Sequence, residues 1–202
     1  PQSTHGNYNP VFDKVNLEKG LSSNNTNCII QDHQGYIWIA TTNGLCRYDG
    51  SNFKTYLHDP TDPSTISANA VRALFIDHEG IIWIGTTGGG LNSIDPQTDV
   101  ISHYKHDNNN PYSLSHNEVL CIYEDSKQRL WIGTEWGINL FNRKSQTFTY
   151  FTHNKVDSTS LGADAVLSIL EDKNHNIWVG TWAGGLNLMN FHDVGNGKEA
   201  IS

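Results

Sequence analysis

One phrase returns four times along the chain, each time around a tryptophan: Trp38, Trp83, Trp131 and Trp178. Subtracting residue numbers gives intervals of 45, 48 and 47, the period range of propellers and solenoids. The copies read Asp32-His-Gln-Gly-Tyr-Ile-Trp38-Ile-Ala-Thr41, Asp77-His-Glu-Gly-Ile-Ile-Trp83-Ile-Gly-Thr86, Asp125-Ser-Lys-Gln-Arg-Leu-Trp131-Ile-Gly-Thr134 and Asp172-Lys-Asn-His-Asn-Ile-Trp178-Val-Gly-Thr181. Each Asp precedes its Trp by six residues. Asp bonds its own backbone ahead and Gly accepts positive φ, so Asp32, Asp77, Asp125 and Asp172 are read as hairpin-turn residues.

Around each phrase the chain breaks into short β-branched and aromatic runs separated by turn residues, with no helical periodicity. In the second copy the expected strands are roughly 70–77, 80–87, 90–95 and 99–106. Four strands per repeat exclude a helical solenoid and predict an all-β protein of β-propeller blades, each a four-stranded antiparallel sheet packed against its neighbours. The four repeat tryptophans are then core. Aligning on the Asp puts Cys28, Ala73, Cys121 and Ser168 at one position, all small, as crowded innermost strands require. No C-x-x-C spacing signals a zinc site or disulfide framework, so the cysteines read as packing residues. The third strand opens Gly44-Leu45-Cys46, Gly90-Leu91-Asn92, Gly137-Ile138-Asn139 and Gly185-Leu186-Asn187, with Asn in all copies but the first.

The fourth copy has three strands and no match to the outer strands Phe53–His58, Val100–His106 or Phe148–His153. Val11-Phe12-Asp13-Lys14-Val15, followed by Gly20-Leu21-Ser22, matches that outer-strand phrase instead. The expectation is closure by the N-terminal strand completing the last blade, which leaves no unpaired edge. Three closures fit: a four-bladed ring, half of an eight-bladed ring, or part of a longer one. The boundaries are a tail over 1–10, one propeller domain over 11–190 and a tail over 191–202. Its blades run about 25–58, 69–106, 117–153 and 164–190, the last with 11–17.

The phrase Asp-x-x-Gly-x-Ile-Trp-Ile-Gly-Thr, followed by Gly-Leu-Asn-x-x-Asp, resembles the two-component regulator propeller repeat of bacterial hybrid histidine kinases over about residues 11–190. The resemblance implies a periplasmic sensor region, often one tuned to polysaccharide breakdown products, in proteins that usually carry more than four repeats. It names no ligand, because a fold does not imply a function.

Loops joining second to third strands, and outer strands to the next inner strand, fall on one propeller face. There lie Asn43, Thr87, Glu135-Trp136 and Trp182, with segments 58–69, 106–117 and 153–164. Trp136 and Trp182 stand where other copies have Asn43 or Thr87, so repeat packing does not demand them. Either they expose indoles that stack on a sugar ring or anchor a partner, or they pack beneath the long loops. His58, His106 and His153 recur after the outer strands but belong to different blades, too far apart for one ion; they read as turn caps, and no metal or cofactor is expected. Equivalent Asp residues on separate blades cannot form a glycosidase pair either.

The formal charge of -8, with 13 Lys plus Arg against 21 Asp plus Glu, offers no basic stripe for nucleic acid. Apolar runs such as Ile81-Ile82-Trp83-Ile84 fall far short of the roughly 20 residues of a membrane helix, so no membrane contact is expected within the chain. The expected role is a non-catalytic sensor or binding module, with a small-molecule or oligosaccharide ligand and self-association as its partners. The alternatives are a propeller lyase or glycosidase, disfavoured by the scatter of Arg47, Arg72, Arg129 and Arg143, and a purely structural dimerisation module.

Overall fold

The computed structural model describes residues 10–193 and 199–201. It forms the expected sheets in chain order. The first blade holds β1 (Thr26–Gln31), β2 (Ile37–Thr41), β3 (Gly44–Tyr48) and β4 (Phe53–Tyr56). The second holds β5 (Val71–Ile76), β6 (Ile82–Thr86), β7 (Leu91–Ile94) and β8 (Ile101–Tyr104). The third holds β9 (Val119–Glu124), β10 (Leu130–Thr134), β11 (Gly137–Asn142) and β12 (Thr147–Phe151). The fourth holds only β13 (Val166–Glu171), β14 (Ile177–Thr181) and β15 (Gly185–Met189). Within each blade, sequential strands pair antiparallel, as short turns between them dictate.

The Asp-to-Trp spacing has a structural cause beyond the turn. One carboxylate oxygen of Asp32 accepts the backbone N–H groups of Gln34 and Tyr36; the other accepts the Trp38 indole N–H at 2.7 Å. The same indole bond recurs at Asp77–Trp83 (2.7 Å), Asp125–Trp131 (2.9 Å) and Asp172–Trp178 (3.0 Å). Six residues carry the chain around the hairpin and back, so one carboxylate both closes the turn and satisfies the polar atom of a core indole.

Three of those indoles fill the spaces between blades, while Trp178 of the last blade is half-buried. Trp38 packs with Ile66, Val71, Leu74 and Ile84 of the second blade, and Trp131 with Val166 and Val179 of the fourth. Trp83 meets Phe141 of the third in an edge-on contact at 5.2 Å between ring centroids. Each such side chain contributes about 1.5–3 kcal/mol by leaving water. The innermost strands pack in succession β1, β5, β9, β13. Small residues make that possible: a Cβ on Gly133 would lie 2.5 Å from Cys121 Sγ and 2.7 Å from Val166 Cγ1, so the valine of the following blade occupies the glycine's missing volume. The Cys28/Ala73/Cys121/Ser168 position faces that site, as Cys121 pairs with Gly133 and Ala73 with Gly85.

One expectation, closure by the N-terminal strand, is not borne out. The N-terminal segment does not complete the last sheet: residues 10–16 form no strand, Val11 and Phe12 are almost fully exposed, and a short 3-10 turn, Leu17–Lys19, leads into the buried Leu21. No packing comparable to β1 on β5 joins β1 to β13. The physical reason is that this segment leads into Leu21, which is buried with Ile39 and Cys46 and so ties the chain to the first blade. Within the expected tail over 191–202, β16 (Phe191–Asp193) pairs with β17 (Glu199–Ile201), and the Phe191 ring lies 6.2 Å from that of Trp131. The expected tail over 1–10 lies, but for Pro10, outside the described residues.

Candidate functional site

Backbone bonds settle which loops share a face. The N–H of Gly44 donates to Asn69 O, that of Gly90 to Asn117 O and that of Gly137 to Asp164 O. Each β2–β3-type turn is thus tied to the connection arriving at the next blade. In the same way Thr42, Thr87, Glu135 and Trp182 donate to Asn25, Ala70, Glu118 and Ala165 within their own blades. Asn43, Thr87, Glu135, Trp136 and Trp182 therefore lie on one face, the opposite face carrying the Asp turns.

These turns are locally built by the threonine that recurs in the repeat phrase as Thr41, Thr86, Thr134 and Thr181. Thr41 Oγ1 donates to Gly44 O at 2.8 Å and accepts the Asn43 N–H at 3.0 Å; Thr134 Oγ1 does the same with Gly137 O and the Trp136 N–H. Gly137 has φ +95°, and a Cβ there would strike the Phe151 carbonyl; Gly44, Gly90 and Gly185 share the positive φ, which explains the glycine opening each third strand. The turn backbone is consequently fixed while its tip side chains point away. All five candidates are exposed, one or two per blade, and the structure does not gather them into a single pocket. Trp136 is 57% exposed and Trp182 69%. Neither packs beneath a loop, and among the described residues neither indole makes a hydrogen bond or ring contact.

The long connections that frame this face are held by a repeated clasp. The imidazole Nδ1 atoms of His58, His106 and His153 bond to the carbonyls of Ile66, Leu114 and Leu161 at 2.8, 2.8 and 2.6 Å. Their backbone N–H groups donate to the side chains of Asn69, Asn117 and Asp164. Within the loops, the Thr61, Ser64 and Thr159 hydroxyls and N–H groups donate to Asp59, Asp62 and Asp157, holding those carboxyls below their usual range. Buried amides pin the loops from inside: Asn92 Oδ1 accepts the Ser67 N–H and its amide donates to Ser67 Oγ, both at 2.8 Å, and Asn139 repeats this with Ser115. At the first copy, Cys46 meets Ser22 Oγ at 3.1 Å in that role. Sequence reading missed the clasp, although a signal was present: each His precedes the bonded residue by eight positions.

The charged groups do not converge on this face. Arg143 bridges blades, bonding Asp77 at 2.7 Å and also Glu124, while Arg47 lies 3.6 Å from Asp99 and Arg129 bonds Asp125 at 2.6 Å. Burial pushes the Cys121 thiol up to about 12, so it is an unreactive neutral group. No group of three or more His, Cys, Asp or Glu among the described residues is placed to hold a metal ion. No helix among them is long and apolar enough to cross a membrane.

Comparison with known proteins adds the following. The extracellular domain assigned to hybrid two-component system BT3049 of B. thetaiotaomicron superposes with a TM-score of 0.80 at 27% identity, over 94% of this chain and 29% of that one. The corresponding domain of BT4673 from the same organism gives 0.69 at 26%, over 86% of this chain and 23% of that one. Histidine kinase P4 of Formosa agariphila is 39% identical over 61 residues, 30% of this chain and 4% of that protein. This chain therefore spans a small part of each of these relatives. The model of one family matches four times, at residues 20–43, 65–88, 113–136 and 160–183, each match ending at the exposed turn and starting just before the buried Leu21, Ile66 or Leu114 or the half-buried Leu161. This chain belongs to the two component regulator propeller family.

Proposed function

We propose that this chain is a non-catalytic recognition module of two-component signalling that works outside the cytoplasm and takes an oligosaccharide on its Trp136 and Trp182 face. The extracellular placement of the two solved relatives supports the location, and their two-component context supports the signalling role. The observation that carries the ligand class is the exposure of two indoles on turns of fixed backbone, at positions where repeat packing requires no aromatic. A sugar presents C–H faces that stack on an indole and hydroxyls that bond to a polar side chain such as Glu135, which precedes Trp136 on the same turn. Rigid turns spare the ordering cost that a mobile loop would add on binding. A carboxylate-binding arginine cluster, which a sialidase-type reaction would need, has no counterpart, because Arg47, Arg129 and Arg143 each engage acidic partners.

The test is a panel of oligosaccharides followed by thermal melts and tryptophan fluorescence. A ligand should raise the melting temperature and quench fluorescence, and Trp136→Ala or Trp182→Ala should weaken binding by tenfold or more, as loss of a stacking hot spot does. A panel without effect, or two variants that bind as wild type does, would refute the assignment.

A further inference from the structure

The grooves between neighbouring blades, at the end that carries the Asp turns, differ in what fills them. Between the first and second blades, Arg47 stands opposite both Trp38 and Lys54 in the strand register. The Arg47 guanidinium lies over the Tyr36 and Trp38 rings at 4.8 and 5.5 Å. Asp99, from the β7–β8 turn of the second blade, accepts from Lys54 Nζ and Tyr56 Oη at 2.6 Å each and has Arg47 at 3.6 Å. The molecule's own side chains thus bridge that groove.

Between the second and third blades the same three positions are Ser93, Ser102 and Gln146. Ser93 stands opposite both Trp83 and Ser102. Gln146 repeats Asp99 in its turn, with φ of +56° against +57° and the same backbone bond, at 2.8 Å, to the residue four before it. Together these departures exchange two long cations and their carboxylate for short or neutral polar groups. What remains is a groove of about 400 Å³, within the size range of small-molecule sites, with Trp83, Tyr104, Phe141 and Val100 as its apolar lining. Both blades have all four strands and pack against a neighbour on either side, so the groove is not an end face.

Polar groups around this groove lack partners. Arg143 Nε is buried without a hydrogen-bond partner, although Nη1 and Nη2 of the same guanidinium hold Asp77 and Glu124. Glu79 lies 3.6 Å from Arg143 Nη1, beyond hydrogen-bond distance. Among the described residues neither its carboxylate, nor the Gln146 amide, nor the Ser102 hydroxyl makes a hydrogen bond. A buried donor calls for an acceptor. An anion there would meet Asp77, Glu79, Asp95 and Glu124 against one arginine, and a cation would leave Nε unpaired beside a like charge. A hydroxyl both accepts and donates, so neighbouring hydroxyls on one ring can take the Arg143 Nε–H and bond Glu79 and Gln146, while C–H faces rest on Tyr104 and Val100. We propose that this groove is a second binding site, for a neutral polyhydroxylated ring of hexose size, on the face opposite Trp136 and Trp182. It stands on the groove's own geometry and is independent of the ligand reading of the other face.

Nitrogen-15 NMR of the Arg143 Nε–H tests it, with glucose, galactose and myo-inositol as probes. A ring of about a dozen non-hydrogen atoms should bind with a Kd on the order of 1 mM and shift that signal saturably. Glucose 6-phosphate and free arginine should bind about tenfold more weakly or not at all. Ser93→Arg, Ser102→Lys and Gln146→Asp together rebuild the filling of the first groove and should abolish the shift. Ser102→Trp obstructs the groove by one change at an exposed position and should weaken binding about tenfold or more. Trp136→Ala should leave the Arg143 response unchanged, which separates this site from the one on the other face. No shift with any of the three probes up to about ten times that Kd, tighter binding of the phosphate or of arginine, an unaltered response in Ser102→Trp or in the folded triple variant, or a lost response in Trp136→Ala would each overturn the proposal.

Discussion

Asp77 is the residue whose neutralisation should reveal how the repeat is held together. Its carboxylate is buried and accepts four bonds: the backbone N–H groups of Glu79 and Ile81, the Trp83 indole N–H, and Arg143 Nη1 from the third blade. Asp32 is its equivalent in the first blade, with the same two turn bonds and the indole, but no arginine. Changing either to Asn keeps one oxygen for the turn and points an amide NH₂ at the indole donor. A bond to a charged group is worth about 1.5–3 kcal/mol, so Asp32→Asn should cost about 2 kcal/mol. Asp77→Asn also deprives Arg143 of one carboxylate; Glu124 still holds its other nitrogen, so the added cost is about 1–2 kcal/mol. For a chain of this size about 2–4 °C accompanies each kcal/mol, which places Asp77→Asn about 2–8 °C below Asp32→Asn in melting temperature. Calorimetry or dichroism melts of the two variants measure that gap. Equal melting temperatures, or a milder effect at Asp77, would show that the bridge between blades does not contribute as its geometry says.

Further outcomes follow from the same contacts. Hydrogen bonds from the Trp178 indole and from Asn176 hold the Asp172 carboxyl well below its ordinary 3.8, and hydroxyl and backbone donors lower Asp59, Asp62 and Asp157. A depressed carboxylate stabilises the fold above its unfolded value and loses that contribution as pH falls through the folded one. Melting temperature should thus stay level above about pH 5 and fall below about pH 4, less steeply in Asp172→Asn; a flat profile down to pH 2 would contradict this. Gly133→Ala should destabilise by about 1–3 kcal/mol in urea unfolding, since its methyl would meet both Cys121 and Val166, whereas the first copy already carries Ala40 there. Cys121, half-buried and with its thiol pushed up to about 12, should react slowly with alkylating agents in the native protein and readily on unfolding; native labelling as fast as in the unfolded chain would refute this.

The blades were legible because a single indole per repeat, at a steady interval, can only be core if it recurs between equivalent sheets. The face carrying Trp136 and Trp182 was legible too, since turn positions follow from strand order. Three things were not. Whether those two indoles lie bare depended on how the long connections drape, which local pattern does not encode. The Asp-to-indole bond was hidden because the Asp already had a sufficient role in the turn. Closure was misread because the pattern of residues 11–15 says what strand they resemble but not which sheet they can reach; that depends on the angle between blades, set by side chains at every interface together.

The central claim is that Trp38, Trp83 and Trp131 are clamped interior groups, Trp178 a clamped but half-buried one, and Trp136 and Trp182 surface groups. Hydrogen exchange of the indole N–H groups, followed by nitrogen-15 NMR, tests this residue by residue. Trp38, Trp83, Trp131 and Trp178 should exchange slowly, each bonded to its Asp, while Trp136 and Trp182 exchange at the rate of free indole. A repeat indole exchanging as fast as Trp136, or a protected Trp136 and Trp182 in the ligand-free protein, would contradict the account.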